Sequence, residues 1–126
     1  MSTILLVEHD PLQAFLRKSI LERRFSDVRR VGDAAEALCL LEQPQFAGGL
    51  GLVVSGSHHS GIAVEDFVAE LHTRMPCLPV LVIGDDGDDS GDFAGDSVSF
   101  MPRPVIAEKL LTIASQLMAQ DRRKTA

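Results

Sequence analysis

Ile4-Leu5-Leu6-Val7-Glu8-His9-Asp10-Pro11 sets four successive apolar residues ahead of two acids, a histidine and a proline. An apolar run without polar alternation is the pattern of a strand covered on both faces, as in a parallel sheet. Asp10 can cap a helix by accepting a backbone N–H. Pro11 suits the first helical position, where its missing donor has no partner to lose. The octet therefore reads as strand, turn and capped helix, with Glu8 and His9 at the joint. The helix is expected to run to about Arg24, with Leu12, Phe15, Leu16, Ile20 and Leu21 inward at 3-and-4 spacing.

The same unit recurs along the chain. Val28 to Val31 reads as a second strand. Asp33 caps a helix from Ala34 to Glu42, whose stripe of Ala34, Ala37, Leu38 and Leu41 is ended by Pro44 and Gly48-Gly49. Leu50 to Val54 is the third strand, Ser55 to Gly61 a loop, and Val64 to Arg74 a helix facing inward through Val64, Phe67, Val68 and Leu71. Pro79 to Ile83 and Val98 to Met101 are the fourth and fifth strands. Pro104 opens the last helix, with Ile106, Leu110, Leu111, Ile113, Ala114 and Leu117 on its apolar side. Strands alternating with helices predict an α/β fold with a doubly wound five-stranded parallel sheet. One domain is expected over 1–119, followed by a polar C-terminal tail over 120–126.

Composition agrees with that outline. The chain has 126 residues, an apolar share of 45% and a charged share of 24%, ordinary for one globular core. No apolar run is long enough to span a membrane, and no basic region precedes the first one as in a signal peptide. A cytoplasmic location is expected, with no membrane partner. Cys39 and Cys77 sit among apolar neighbours and read as small packing residues in a reducing compartment. Net charge is −6, with Arg17, Lys18, Arg23, Arg24, Arg29 and Arg30 clustered early. That cluster lacks interleaved aromatics, so it reads as a solvated helix face and no direct nucleic-acid binding is expected.

In doubly wound sheets functional groups gather beyond the carboxyl ends of the strands. That rule selects Glu8-His9-Asp10, Ser55 to Gly61, Gly84-Asp85 and Pro102-Arg103-Pro104. No glycine-rich phosphate loop follows the first strand, which excludes a dinucleotide-binding or P-loop reading.

At these four places the chain resembles the receiver domain of two-component response regulators. The octet 4–11 is similar to the family's strand, acidic cluster and capped helix. Phe100-Met-Pro-Arg-Pro104 is similar to its aromatic–x–x–lysine–proline signature, which makes Phe100 the candidate switch aromatic. The resemblance covers residues 3 to about 119 and implies the flavodoxin-like strand order 2-1-3-4-5. In such domains two adjacent acids hold Mg²⁺, an aspartate accepts the phosphoryl group, a hydroxyl residue reports it, and a lysine balances its charge.

Carried over to this sequence, that kit is degenerate. Glu8 keeps the first acid. His9 replaces the second, a nitrogen ligand ill suited to Mg²⁺. Ser55 stands in the aspartate position, and an alcohol cannot form an acyl phosphate. Gly84 replaces the hydroxyl residue and Arg103 the lysine. Arg103 is expected to pair with Glu8, supplying a permanent charge. Between them Asp85-Asp-Gly-Asp-Asp-Ser-Gly-Asp-Phe-Ala-Gly-Asp96 carries three Gly and six Asp. Gly costs roughly 1 kcal/mol per helical position, so the helix that the family places there is expected to be lost or degraded.

The resemblance implies an atypical receiver, or pseudo-receiver. It would be no enzyme, have no catalytic residue and no cofactor, and have lost or weakened Mg²⁺ binding. It would act in signal transduction through protein–protein interaction, independent of aspartyl phosphorylation. Expected partners are proteins of a signalling pathway, a second copy of the chain among them. The alternative is a metal- or small-ligand sensor using His9, His58, His59 and Asp85 at the mouth of the sheet. Asp86, Asp88, Ser90 and Asp92 have the spacing of half a calcium loop but lack its closing glutamate. Ser55, Ser57 and Ser60 near the histidines lack a nucleophile elbow.

Overall fold

β1 (Thr3–Val7) is buried along its whole length. Its residues alternate between two cores, with Leu5 and Val7 in one and Ile4 and Leu6 in the other. A strand whose both faces are covered must carry apolar residues at every position, which explains the unbroken run in the sequence. The structure, a computed structural model, describes residues 2–57, 62–84 and 98–125, with side chains described as far as 119. After β1 come α1 (Pro11–Leu21), β2 (Val28–Val31), α2 (Ala34–Leu41) and α3 (Pro44–Gly49). β3 (Leu50–Gly56), α4 (Val64–Arg74), β4 (Val80–Gly84), β5 (Val98–Pro102) and α5 (Ala107–Thr125) follow.

The sheet is parallel throughout, as the alternation of strands and helices predicts, and ordered β2-β1-β3-β4-β5, as the resemblance implies. One helical layer packs Ala34, Ala37 and Leu41 of α2 with Val64, Phe67, Val68 and Leu71 of α4 against it. The other packs Ala14 and Leu21 of α1 with Leu110, Ala114, Leu117 and Met118 of α5. Fully burying each such Leu, Ile, Val or Phe is worth roughly 1.5–3 kcal/mol. The caps are those predicted. Asp10 accepts from the N–H groups of Leu12 and Gln13, and Asp33 accepts from that of Glu36 at 2.8 Å.

Several expectations are corrected. α1 buries Ala14, Arg17 and Leu21 and ends at Leu21, whereas Leu12, Phe15 and Leu16 are 63%, 67% and 46% exposed. Two apolar-compatible stripes exist on this helix, and the one with the small Ala14 lets the backbone approach the sheet. The basic cluster is largely solvated, with Arg23, Arg24, Arg29 and Arg30 exposed, but Arg29 and Arg30 lie on β2 and one member turns inward. Arg17 is buried, Arg24 donates to Ser115 Oγ at 3.1 Å, Arg29 lies over the Phe46 ring at 5.5 Å, and Arg30 clamps a carbonyl described below.

Cys39 and Cys77 are free but exposed, because Cys39 lies off the inward stripe of α2 and Cys77 follows α4 in a loop. Ser55 and Gly56 belong to β3 instead of a loop. Pro44 begins α3, where the sequence predicts only an interruption. α5 begins at Ala107 and leaves Ile106 exposed. Its backbone continues helical to Thr125, through residues read as a tail but rich in good helix formers. The predicted loss of a helix between β4 and β5 falls on residues 85–97, outside the described residues.

Candidate functional site

Register alone brings the selected positions together. Val7 pairs with Ser55 across β1 and β3, Gly56 with Ile83 across β3 and β4, and Gly84 with Pro102 across β4 and β5. The Arg103 N–H donates to the Gly84 carbonyl at 2.7 Å, which ties the β5 end to the β4 end. Glu8, Ser55, Gly84 and Arg103 therefore share one rim, at the carboxyl ends of β1, β3, β4 and β5. The Arg103–Pro104 peptide is cis.

Glu8 is the best-held group there. Its carboxylate is 3% exposed. Oε1 accepts from Arg17 Nη1, and Oε2 accepts from the Asp10 N–H at 3.1 Å. Arg30 donates to the Glu8 carbonyl through Nε at 3.2 Å and Nη2 at 2.8 Å. The Glu8 carboxylate also lies close over Gly56, where a Cβ would meet Oε1 at 2.9 Å. Glycine at 56 is thus what permits the carboxylate to lie where it does.

The cation on Glu8 is Arg17, not Arg103 as the sequence suggested. A buried carboxylate needs a charged, hydrogen-bonded partner, and α1 delivers one from its inward stripe. Sequence reading placed Arg17 among solvent-facing residues. The signal that could have found it is its spacing, three residues after Ala14 and four before Leu21. Burial holds the Arg17 guanidinium below its ordinary pKa; the Glu8 charge opposes that shift and the nearby Arg103 charge adds to it.

Ser55 is fully buried and its hydroxyl donates to the Gly56 carbonyl at 2.8 Å. His9 is exposed, with Nδ1 3.5 Å from Glu8 Oε2. Gly84 is buried and Arg103 exposed. Phe100 is half-buried beside the core that α2 and α4 cover and lies opposite Val82 in the sheet.

Of the residues offered for a metal or ligand sensor, His58, His59 and Asp85 lie outside the described residues, as do Ser60 and the acidic segment. Among the described residues no three histidine, cysteine or carboxylate side chains group as a metal site. No described helix is long and apolar enough to cross a membrane.

No family model matches the chain, and no curated protein matches it. Solved structures do resemble it. The response regulator receiver domain protein from Clostridium thermocellum superposes with a TM-score of 0.84 at 16% identity, over 97% of this chain and 98% of that one. The response regulator receiver protein from Sinorhizobium medicae gives 0.81 at 18% identity, over 95% and 96%. The receiver domain of NtrX from Brucella abortus gives 0.81 at 21% identity, over 92% and 98%. In the longer NtrX chain, 99% of this chain matches 28% of that protein. The chain has the receiver-domain fold.

Proposed function

We propose that this chain is a pseudo-receiver: a receiver domain that acts in signal transduction through protein–protein contact, with no aspartyl phosphorylation and no enzymatic activity. The observation that carries the reading is the Glu8–Arg17 pair. Phosphoryl transfer to a receiver needs a hard divalent cation held by carboxylate oxygens. Here the surviving acid is shielded from solvent and already neutralised by an internal guanidinium. A metal would have to displace Arg17 and leave that cation buried without its anion, which costs several kcal/mol.

The remaining positions support the same reading. Ser55 offers an alcohol that is buried and hydrogen-bonded to the backbone. Gly84 offers no hydroxyl, and Arg103 brings a delocalised, planar cation in place of an ammonium. The exposed Leu12, Phe15 and Leu16 of α1 form an apolar surface of the kind that protein partners cover. Partners are proteins of a signalling pathway, a second copy of the chain among them. Incubation with acetyl phosphate or beryllofluoride and Mg²⁺, read by intact mass and by amide chemical shifts, is expected to leave the protein unchanged. A phosphoryl adduct, or beryllofluoride shifts centred on residues 8, 55 and 84, would overturn the reading.

A further inference from the structure

Between α1 and the β5–α5 connection lies an open cleft of about 580 Å³. Gln13, Leu16, Arg17 and Ile20 form one wall, and Arg103 and Pro104 stand opposite. The volume falls in the range of roughly 300–1,000 Å³ usual for small-ligand sites. Among the described residues, two arginines and no acid line it. Leu16, Ile20 and Pro104 make the rest of its wall largely apolar.

Arg17 supplies the decisive observation. Nη1 is held by Glu8, while Nε and Nη2 are buried and find no acceptor among the described residues. These two nitrogens are the side-on edge of the guanidinium. Their N–H groups point in parallel and match two oxygens of a carboxylate or phosphate. Leaving such donors unmatched is costly, so a ligand that offers two oxygens is selected over one that offers none. Arg103 adds a second positive charge to the same cleft, close enough to disfavour the Arg17 charge. An anion between them relieves that repulsion.

We propose that this cleft is a binding site for a small organic anion: a carboxylate or phosphate monoester carrying an apolar body. The headgroup is taken side-on by Nε and Nη2 of Arg17, faces Arg103, and leaves its body against Leu16, Ile20 and Pro104. Neither Ser55 nor Gly84 lines the cleft, and the proposal does not depend on the pseudo-receiver reading.

Amide NMR titrations of the full chain with phenyl phosphate, benzoate, inorganic phosphate and benzyl alcohol test it. Saturable shifts confined to residues 13–20 and 103–105 are expected with phenyl phosphate or benzoate and not with benzyl alcohol; which anion binds tighter identifies the headgroup. Arg103→Gln, which leaves the buried pair intact, is expected to weaken binding about tenfold or more, the equivalent of one charge-assisted hydrogen bond. Arg17→Lys keeps a cation for Glu8 but removes the side-on edge, and is expected to abolish binding. No saturable shift with any anion, or unchanged affinity in Arg103→Gln, would overturn the proposal. Equal binding of benzyl alcohol would overturn the anion assignment, and equal binding of inorganic and phenyl phosphate would overturn the organic one.

Discussion

Arg17 Nη1 donates to Glu8 Oε1 across nine positions of sequence, and the two side chains are 2% and 3% exposed. One salt bridge thus joins the end of β1 to the inward face of α1. It neutralises the acid that follows β1 at the rim of the sheet.

Breaking this pair from one side is expected to be severe. Arg17→Met leaves the Glu8 carboxylate buried and unpaired, at a cost of about 3–5 kcal/mol. Glu8→Gln combined with Arg17→Met removes both charges and is expected to lose less than Arg17→Met alone. Urea unfolding of the wild type, both single variants and the double variant completes the cycle.

The pH dependence follows from the direction of the Arg17 shift. Burial lowers its pKa in the folded protein, so between the folded and unfolded values the unfolded chain binds more protons. Stability from this group therefore rises as pH climbs from the folded-state pKa toward the unfolded one, and below both the buried charge carries its full desolvation cost. Wild type and the double variant Glu8→Gln/Arg17→Met, which carries neither charge, are expected to give parallel plots of urea midpoint against pH between about 7 and 9, since Arg is effectively always protonated there. A difference in slope over that interval would contradict the assignment.

α1 offers a contrast within one helix. Phe15→Ser, at an exposed site, is expected to change stability by no more than about 0.5 kcal/mol. Ala14→Leu, at the buried contact with α5 and the sheet, is expected to cost about 1–3 kcal/mol by overpacking. Had the larger residues faced inward, the order would be reversed. Thermal or urea melts decide between the two.

Gly56 is expected to tolerate no side chain. A Cβ there would stand 2.9 Å from Glu8 Oε1, an atom that Arg17 prevents from moving away. Gly56→Ala should cost about 1–3 kcal/mol as an overpacking substitution. In an Arg17→Met background the carboxylate is no longer clamped, and the same change should cost less. Equal losses in both backgrounds would mean that the clash is with something other than the clamped Glu8.

An aspartate introduced at position 55 is expected not to confer phosphorylation. Ser55→Asp buries a carboxylate at a position closed to solvent, near another acid, with His9, Gly84 and Arg103 still in place. With acetyl phosphate and Mg²⁺ the variant is expected to gain no phosphoryl mass and to be less stable than the wild type. A phosphorylated product by mass spectrometry would show that one substitution suffices.

The legible part of the fold was carried by local patterns. The runs Ile4–Val7, Leu50–Val54 and Val80–Ile83 could be read because a strand covered on both faces needs an apolar residue at each step. Asp10 and Asp33 could be read because a cap acts within three residues of itself. The rim positions were legible through order and spacing, since strand ends in a parallel sheet must fall at one edge. What failed was the choice of face on α1, where Leu12, Phe15 and Leu16 carry as strong a helical period as Ala14, Arg17 and Leu21.

By itself, then, the sequence determined the alternation of strands and helices, their caps, and the gathering of Glu8, His9, Ser55, Gly84 and Arg103 at the carboxyl ends of the strands. Only the tertiary structure decided that Arg17 turns inward to meet Glu8, that Leu12, Phe15 and Leu16 are left outside, and that a cleft opens between Arg17 and Arg103. Local pattern fixes periodicity but not phase. Phase is set by the closest approach that Ala14 permits and by the buried carboxylate's need for a counter-charge, and neither exists until α1 lies against the sheet.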